Sequence, residues 1–167
     1  MMGRALLVVG AVATLGLVAA AVLGYLVAGG GHPELFRFHL LVALAAALLL
    51  LFSHCWILFY LIGTGKAIRE AVAEYRLDPN LVAETRRFKQ LSSGPLTFAM
   101  LVAMALFVVG GGVYTGAVPV WVHHTLFWAA LVTQAFAMRR EARVLAANER
   151  LMASINRLLE TEGAVQA

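Results

Sequence analysis

Residues 35–62 read LFRFHLLVALAAALLLLFSHCWILFYLI. The stretch carries one formal charge, Arg37, near its start, and it exceeds the ~20 residues with which a helix crosses ~30 Å of hydrocarbon. It has no polar face to turn toward water, so it reads as a transmembrane helix rather than as a surface helix of a soluble domain. Three further apolar stretches, residues 5–28, 96–118 and 118–138, have similar length. The expected fold is therefore all-α, an integral membrane four-helix bundle. Composition agrees: 62% of the residues are hydrophobic and 13% are charged, whereas a soluble domain is about one quarter charged. Lipid is the expected partner of most of the surface.

The short connections pair the helices. Gly29-Gly30-Gly31-His32-Pro33 is a tight turn with Pro33 placed to open the next helix, and Gly116-Ala117-Val118-Pro119 repeats the arrangement. Two antiparallel hairpins follow. Arg4 and the small residues Val18-Ala19-Ala20 give the first stretch some features of a signal peptide, but its apolar run continues through Leu26-Val27, and a retained anchor is expected.

Twelve of the 13 basic residues, those of the N-terminus, the 64–95 loop and the tail, fall on one side; only Arg37 falls on the other. Both termini and the long loop are expected to be cytoplasmic, with the chain in the inner membrane. Residues 1–138 would form the membrane domain and 139–167 a cytoplasmic helix. The loop reads as two helical pieces. One prolongs the second transmembrane helix over 66–75; the other opens at Asp78-Pro79, is stopped by Ser92-Ser93-Gly94-Pro95, and lies on the membrane or caps the bundle. In the tail, Val144, Asn148, Leu151, Ile155 and Leu158 keep a 4-3-4-3 spacing that suits a short parallel coiled coil and a homodimer, or else packing on the chain's own loop helices.

Several chemistries are disfavoured. Basic residues flank apolar spans instead of forming an aromatic-interleaved stripe, so nucleic acid is not an expected partner. Cys55 is the single cysteine, which excludes a CxxC site, and it is expected to be a small buried hydrophobe. No carboxylate falls inside the apolar stretches, which weakens an ion-coupled transporter. P-loop, HExxH and Gly-x-Ser-x-Gly motifs are missing, so the chain reads as an electron carrier or accessory subunit rather than a stand-alone enzyme. Gly110-Gly111-Gly112 reads as a close-packing or kink site opposite the histidines. The tryptophans and Tyr25, Tyr60 and Tyr114 mostly suit interfacial belts, with Trp128 deeper, stacked on a cofactor or packed.

Histidines inside hydrocarbon are costly unless partnered, so each is a candidate site. Topology puts His39 and the pair His123 and His124 about one turn inside the outer surface, on two helices. Two imidazoles at one depth suit axial ligation of a b-type haem, and also begin a small metal site such as copper, or a quinone site. His54 lies 15 residues after His39, roughly 22 Å deeper and about 60° around the helix, with the small residues Ala43, Ala46 and Ala47 between. This spacing is similar to that in membrane b-type cytochromes with two stacked haems. The chain departs from that pattern because no second histidine lies at the depth of His54. Gln134 does, and a hydrogen bond between His54 and Gln134 is the simplest expectation, ahead of a quinone headgroup held by both or a haem ligated by His54 and Met100, Met104 or Met138. The expected function is haem b binding for electron transfer or quinone chemistry; the rival is a scaffold or accessory subunit that docks a partner through loop and tail.

Overall fold

Long apolar runs without helix breakers satisfy their backbone groups internally only as helices, and the computed structural model is all-helical over the residues it describes: backbone 2–166, side chains 2–160. Four helices, α1 (Met2–Ala28), α2 (Phe36–Glu74), α3 (Asn80–Tyr114) and α4 (Val120–Gln166), run alternately up and down, with one 3₁₀ turn at Pro33–Leu35 before α2. They pack in a ring in chain order, and α1 closes on α4. Two short turns lie at one end, here the turn end. The start of α1, the end of α4 and the residue 75–79 connection belong to the other, the tail end.

Glycine makes the two short turns possible. Gly30 and Gly116 adopt φ of +74° and +73°, the left-handed conformation that ends a helix without a Cβ clash. At the tail end Arg76 takes the same role with φ +52°, and the Leu77 N–H reaches back to the Val72 carbonyl at 3.1 Å. Asp78 then accepts the Asn80 N–H at 2.9 Å, so the Asp-Pro signal for a helix start is met.

Three helical segments, Met2–Ala28, Pro33–Glu74 and Asn80–Tyr114, are long and apolar enough to cross a membrane. A third or less of each apolar window is buried within the protein, and large side chains such as Leu15, Phe59 and Val108 point outward, compatible with contact with lipid. α4 is not among the three. His123, His124 and Gln134 interrupt its apolar run, and it continues without a break into the charged tail.

The structure corrects three expectations and decides between two alternatives for the tail. Pro95 does not stop a loop helix: α3 is continuous through it. Proline removes a helical hydrogen bond, but the buried stripe Thr85, Ser92, Leu96, Ala99 and Ala103 lies on one face across the position, and packing on both sides holds the axis. Of the two alternatives for the tail stripe, packing on the chain's own helices is seen for all but Leu158, which is exposed. Leu151 and Ile155 pack with Ile68 of α2, Val144 lies in the adjoining core, and Asn148 meets Thr64 at 3.2 Å. The last seven residues of the expected 139–167 tail helix lie outside the described side chains. Cys55 is exposed on α2, with its thiol 3.8 Å from the Met100 sulfur. Trp128 is likewise exposed and meets only the edge of Phe127 among rings, at 5.3 Å.

Candidate functional site

At the turn end the four helices stand apart around a cavity of about 550 Å³, within the ~300–1,000 Å³ of small-molecule and cofactor sites. His39 from α2 and His123 and His124 from α4 all line it, so the three histidines expected at one depth do share one space. Small residues make the room: Ala20, Ala21, Gly24, Ala43, Ala47, Ala103, Gly110 and Gly111 form much of the wall. Aromatic rings supply the rest. Phe36 and Tyr114 stack at 4.8 Å, and Tyr25 lies 4.8 Å from the His124 ring.

The two hairpins present their imidazoles in parallel fashion. In the first, the His39 ring lies over Gly24 of α1, where an added Cβ would fall 3.0 Å from Cε1. In the second, the His123 ring lies over Gly110 of α3 with the same 3.0 Å clearance. Only glycine admits a ring this close to the helix axis. Four residues before Gly24, the Ala20 carbonyl accepts the His39 Nδ1–H at 2.8 Å. A carbonyl can only accept, so Nδ1 carries a proton, and in a neutral imidazole Nε2 is then the nitrogen with the lone pair, the tautomer that can bind a metal through Nε2. Leu106 stands four residues before Gly110 as Ala20 does before Gly24, but His123 Nδ1 is buried without a hydrogen-bond partner among the described residues, so the second hairpin lacks the bond that orients the first. Among the described residues no three or more His, Cys, Asp or Glu side chains converge as a metal cluster; the cavity offers one imidazole from α2 and two from α4.

The floor is a hydrocarbon layer of Ala13, Leu17, Ala46, Leu50 and Ala103. Beyond it, at the tail end, is a closed polar chain. His54 Nε2 meets Gln134 Oε1 at 2.8 Å, the interhelical bond expected from their common depth. Gln134 Nε2 donates to the Thr14 hydroxyl at 3.2 Å, and Thr14 donates to the Gly10 carbonyl at 2.8 Å. His54 Nδ1 meets Glu141 Oε1 at 2.5 Å, with both residues almost wholly buried. Hence the α4 carboxylate that seemed to lie beyond the apolar run is inside the protein.

Donor and acceptor roles follow from the fixed end. Thr14 spends its proton on the Gly10 carbonyl and must accept from Gln134 Nε2, so Gln134 Oε1 accepts and His54 Nε2 donates. One proton remains between Nδ1 and the carboxyl oxygen. Whichever atom holds it, the pair is neutral as a whole, which lowers the cost of burying it. Turning the Gln134 amide over would leave a net negative charge in the interior. With both ring nitrogens engaged, His54 has none left for a cofactor unless a bond breaks.

Sequence reasoning missed Gly24, Thr14 and Glu141; Gly110, expected as a close-packing site opposite the histidines, is where the His123 ring packs. Glu141 was within reach: it follows Gln134 by seven residues, two helical turns, and so shares its face. Gly24 carries no signal alone. Its signal is the repeated pairing, glycine on the first helix of each hairpin and histidine on the second. Comparison with known protein families, with curated proteins and with solved structures finds no match.

Proposed function

We propose that the protein is an integral membrane four-helix protein that binds one b-type haem in the turn-end cavity, where His39 and His123 would hold it, and serves in electron transfer. The observation that carries this reading is the paired device. Two hairpins each hold an imidazole against a glycine around one apolar cavity of cofactor size, and a backbone carbonyl fixes the first of the two rings. Haem needs just two such ligands, whereas copper or another small metal prefers more. When bound, the haem supplies a one-electron couple. Small residues would admit its flat ring, Phe36, Tyr114 and Phe107 would pack its faces and keep water out, and the Ala20 carbonyl would hold His39 in the ligating tautomer. A quinone is the alternative occupant of the same cavity. In this reading the chain lies in the inner membrane with its termini and tail end cytoplasmic, the side that carries twelve of its basic residues.

Protein purified in detergent, with and without added haem, tests the proposal. Wild type should show a Soret band; His39→Ala and His123→Ala should each lose or strongly alter it, while His54→Ala should keep it if the protein folds. Absence of any haem uptake by folded wild type would overturn the reading.

A further inference from the structure

A second cavity, of about 360 Å³, opens between α3 and α4 at the tail end. Arg87 of α3 and Arg140 and Arg143 of α4 line it, with Glu84 as the acidic group and Phe88 and Val144 as apolar wall. The lining side chains carry three positive charges and one negative, a formal +2. Among the described residues, none of these guanidinium groups lies within ion-pair distance of a carboxylate; Arg140 sits 5.3 Å from the Phe136 ring centre. Cations gathered in excess of their counter-charge repel one another, and an anion between them relieves that repulsion. Guanidinium forks from two helices suit phosphate oxygens.

Depth selects the kind of phosphate. Arg140 and Arg143 follow Met138, the end of the apolar run, by about 3 and 8 Å along the axis. That is the headgroup zone, which extends roughly 5–8 Å beyond the hydrocarbon. Arg87 starts farther out and has the long stem to reach back. Above Arg140 on the same face of α4 are Phe136 and Val132, both at least half exposed, so the cationic cavity continues into an outward apolar stripe. A free phosphate would have no use for that stripe; an acyl chain would.

We propose that this cavity binds the headgroup phosphate of an anionic phospholipid of the cytoplasmic leaflet, its acyl chain lying along Phe136 and Val132. The proposal rests on the membrane reading above but not on haem. Basic pockets between helices on this side are suited to anionic headgroups.

Full-length protein in nanodiscs of phosphatidylcholine with a minor share of phosphatidylglycerol provides the test, with bound lipid identified by native mass spectrometry. Wild type should retain phosphatidylglycerol selectively. Arg87→Gln, Arg140→Gln and Arg143→Gln should each weaken retention about fivefold, and the triple variant on the order of 100-fold. The triple Arg→Lys variant should recover most of it, which separates lost charge from lost fold. Arg139→Gln changes a neighbouring cation outside the cavity and should leave retention unchanged. Equal loss in Arg139→Gln and Arg140→Gln, equal uptake of the two lipids by wild type, or displacement by inorganic phosphate as effective as by phosphatidylglycerol would each overturn the proposal. Failure of folded protein to enter phosphatidylcholine nanodiscs would overturn the membrane reading, and this one with it.

Discussion

At the turn end, His39 and His123 rest on glycines around a cavity, and His39 makes a single hydrogen bond that leaves Nε2 unengaged. At the tail end, His54 is sealed in the core with both ring nitrogens bonded, one to a carboxyl group and one to an amide. The same side chain thus supplies binding capacity in one half of the bundle and cohesion in the other. Burial and the number of partners make the difference. Substitutions at the two ends should therefore fail in different ways.

The largest effect is expected from Glu141→Leu, which leaves His54 without the partner that neutralises it. Such a broken buried pair costs about 3–5 kcal/mol, to be read from denaturant unfolding in detergent. The double variant with His54→Leu should recover much of that loss, because neither ionisable group is then left buried alone. A double variant no more stable than Glu141→Leu would mean that the pair is not the unit of cohesion. Gln134→Leu should cost less, about 1–3 kcal/mol, since it strands the His54 Nε2–H while Glu141 remains in place.

At the turn end the loss should be of binding. Gly110→Ala puts a Cβ 3.0 Å from the His123 ring and should reduce haem affinity about 10–100-fold, measured by haem titration, with little change in unfolding. Gly63→Ala, at an exposed helical position away from the cavity and with open space around its Cβ, is the control: affinity should hold and stability should rise by up to about 1 kcal/mol. If Gly63→Ala weakened binding as much as Gly110→Ala, the ring-on-glycine device would not be what positions the ligand.

The smallest effect is expected at the turn itself. The Glu34 carboxyl is held below its ordinary value, first by a backbone N–H and then by His32, 3.0 Å away. A lowered carboxyl value stabilises the fold above its ordinary titration range, and the gain disappears as pH falls through the lowered value. This pair is exposed and screened, so Glu34→Gln should alter the melting temperature by no more than the scatter of repeat scans at neutral and acid pH alike.

Much of this architecture was legible from local chemistry. Apolar length gave the helices, glycine before proline gave the two short turns, and common depth gave both the shared histidine cavity and the bond between His54 and Gln134. Pro95 was misread because a local breaker signal carries no information about the buried stripe that runs past it. Glu141 was misread because apolar run length marks where side chains stop being hydrocarbon, not where the protein interior ends. The heptads of Leu151 and Ile155 were genuine, but periodicity reports only that a face is buried, and the partner is Ile68 of the same chain.

The layer of Ala13, Leu17, Ala46, Leu50 and Ala103 between the two histidine regions has an electrical meaning. It offers no hydroxyl, amide or carboxyl side chain along which a proton could hop. The turn-end cavity and the buried His54–Glu141 pair are therefore separated by hydrocarbon, with no path for protons through the side chains of this layer.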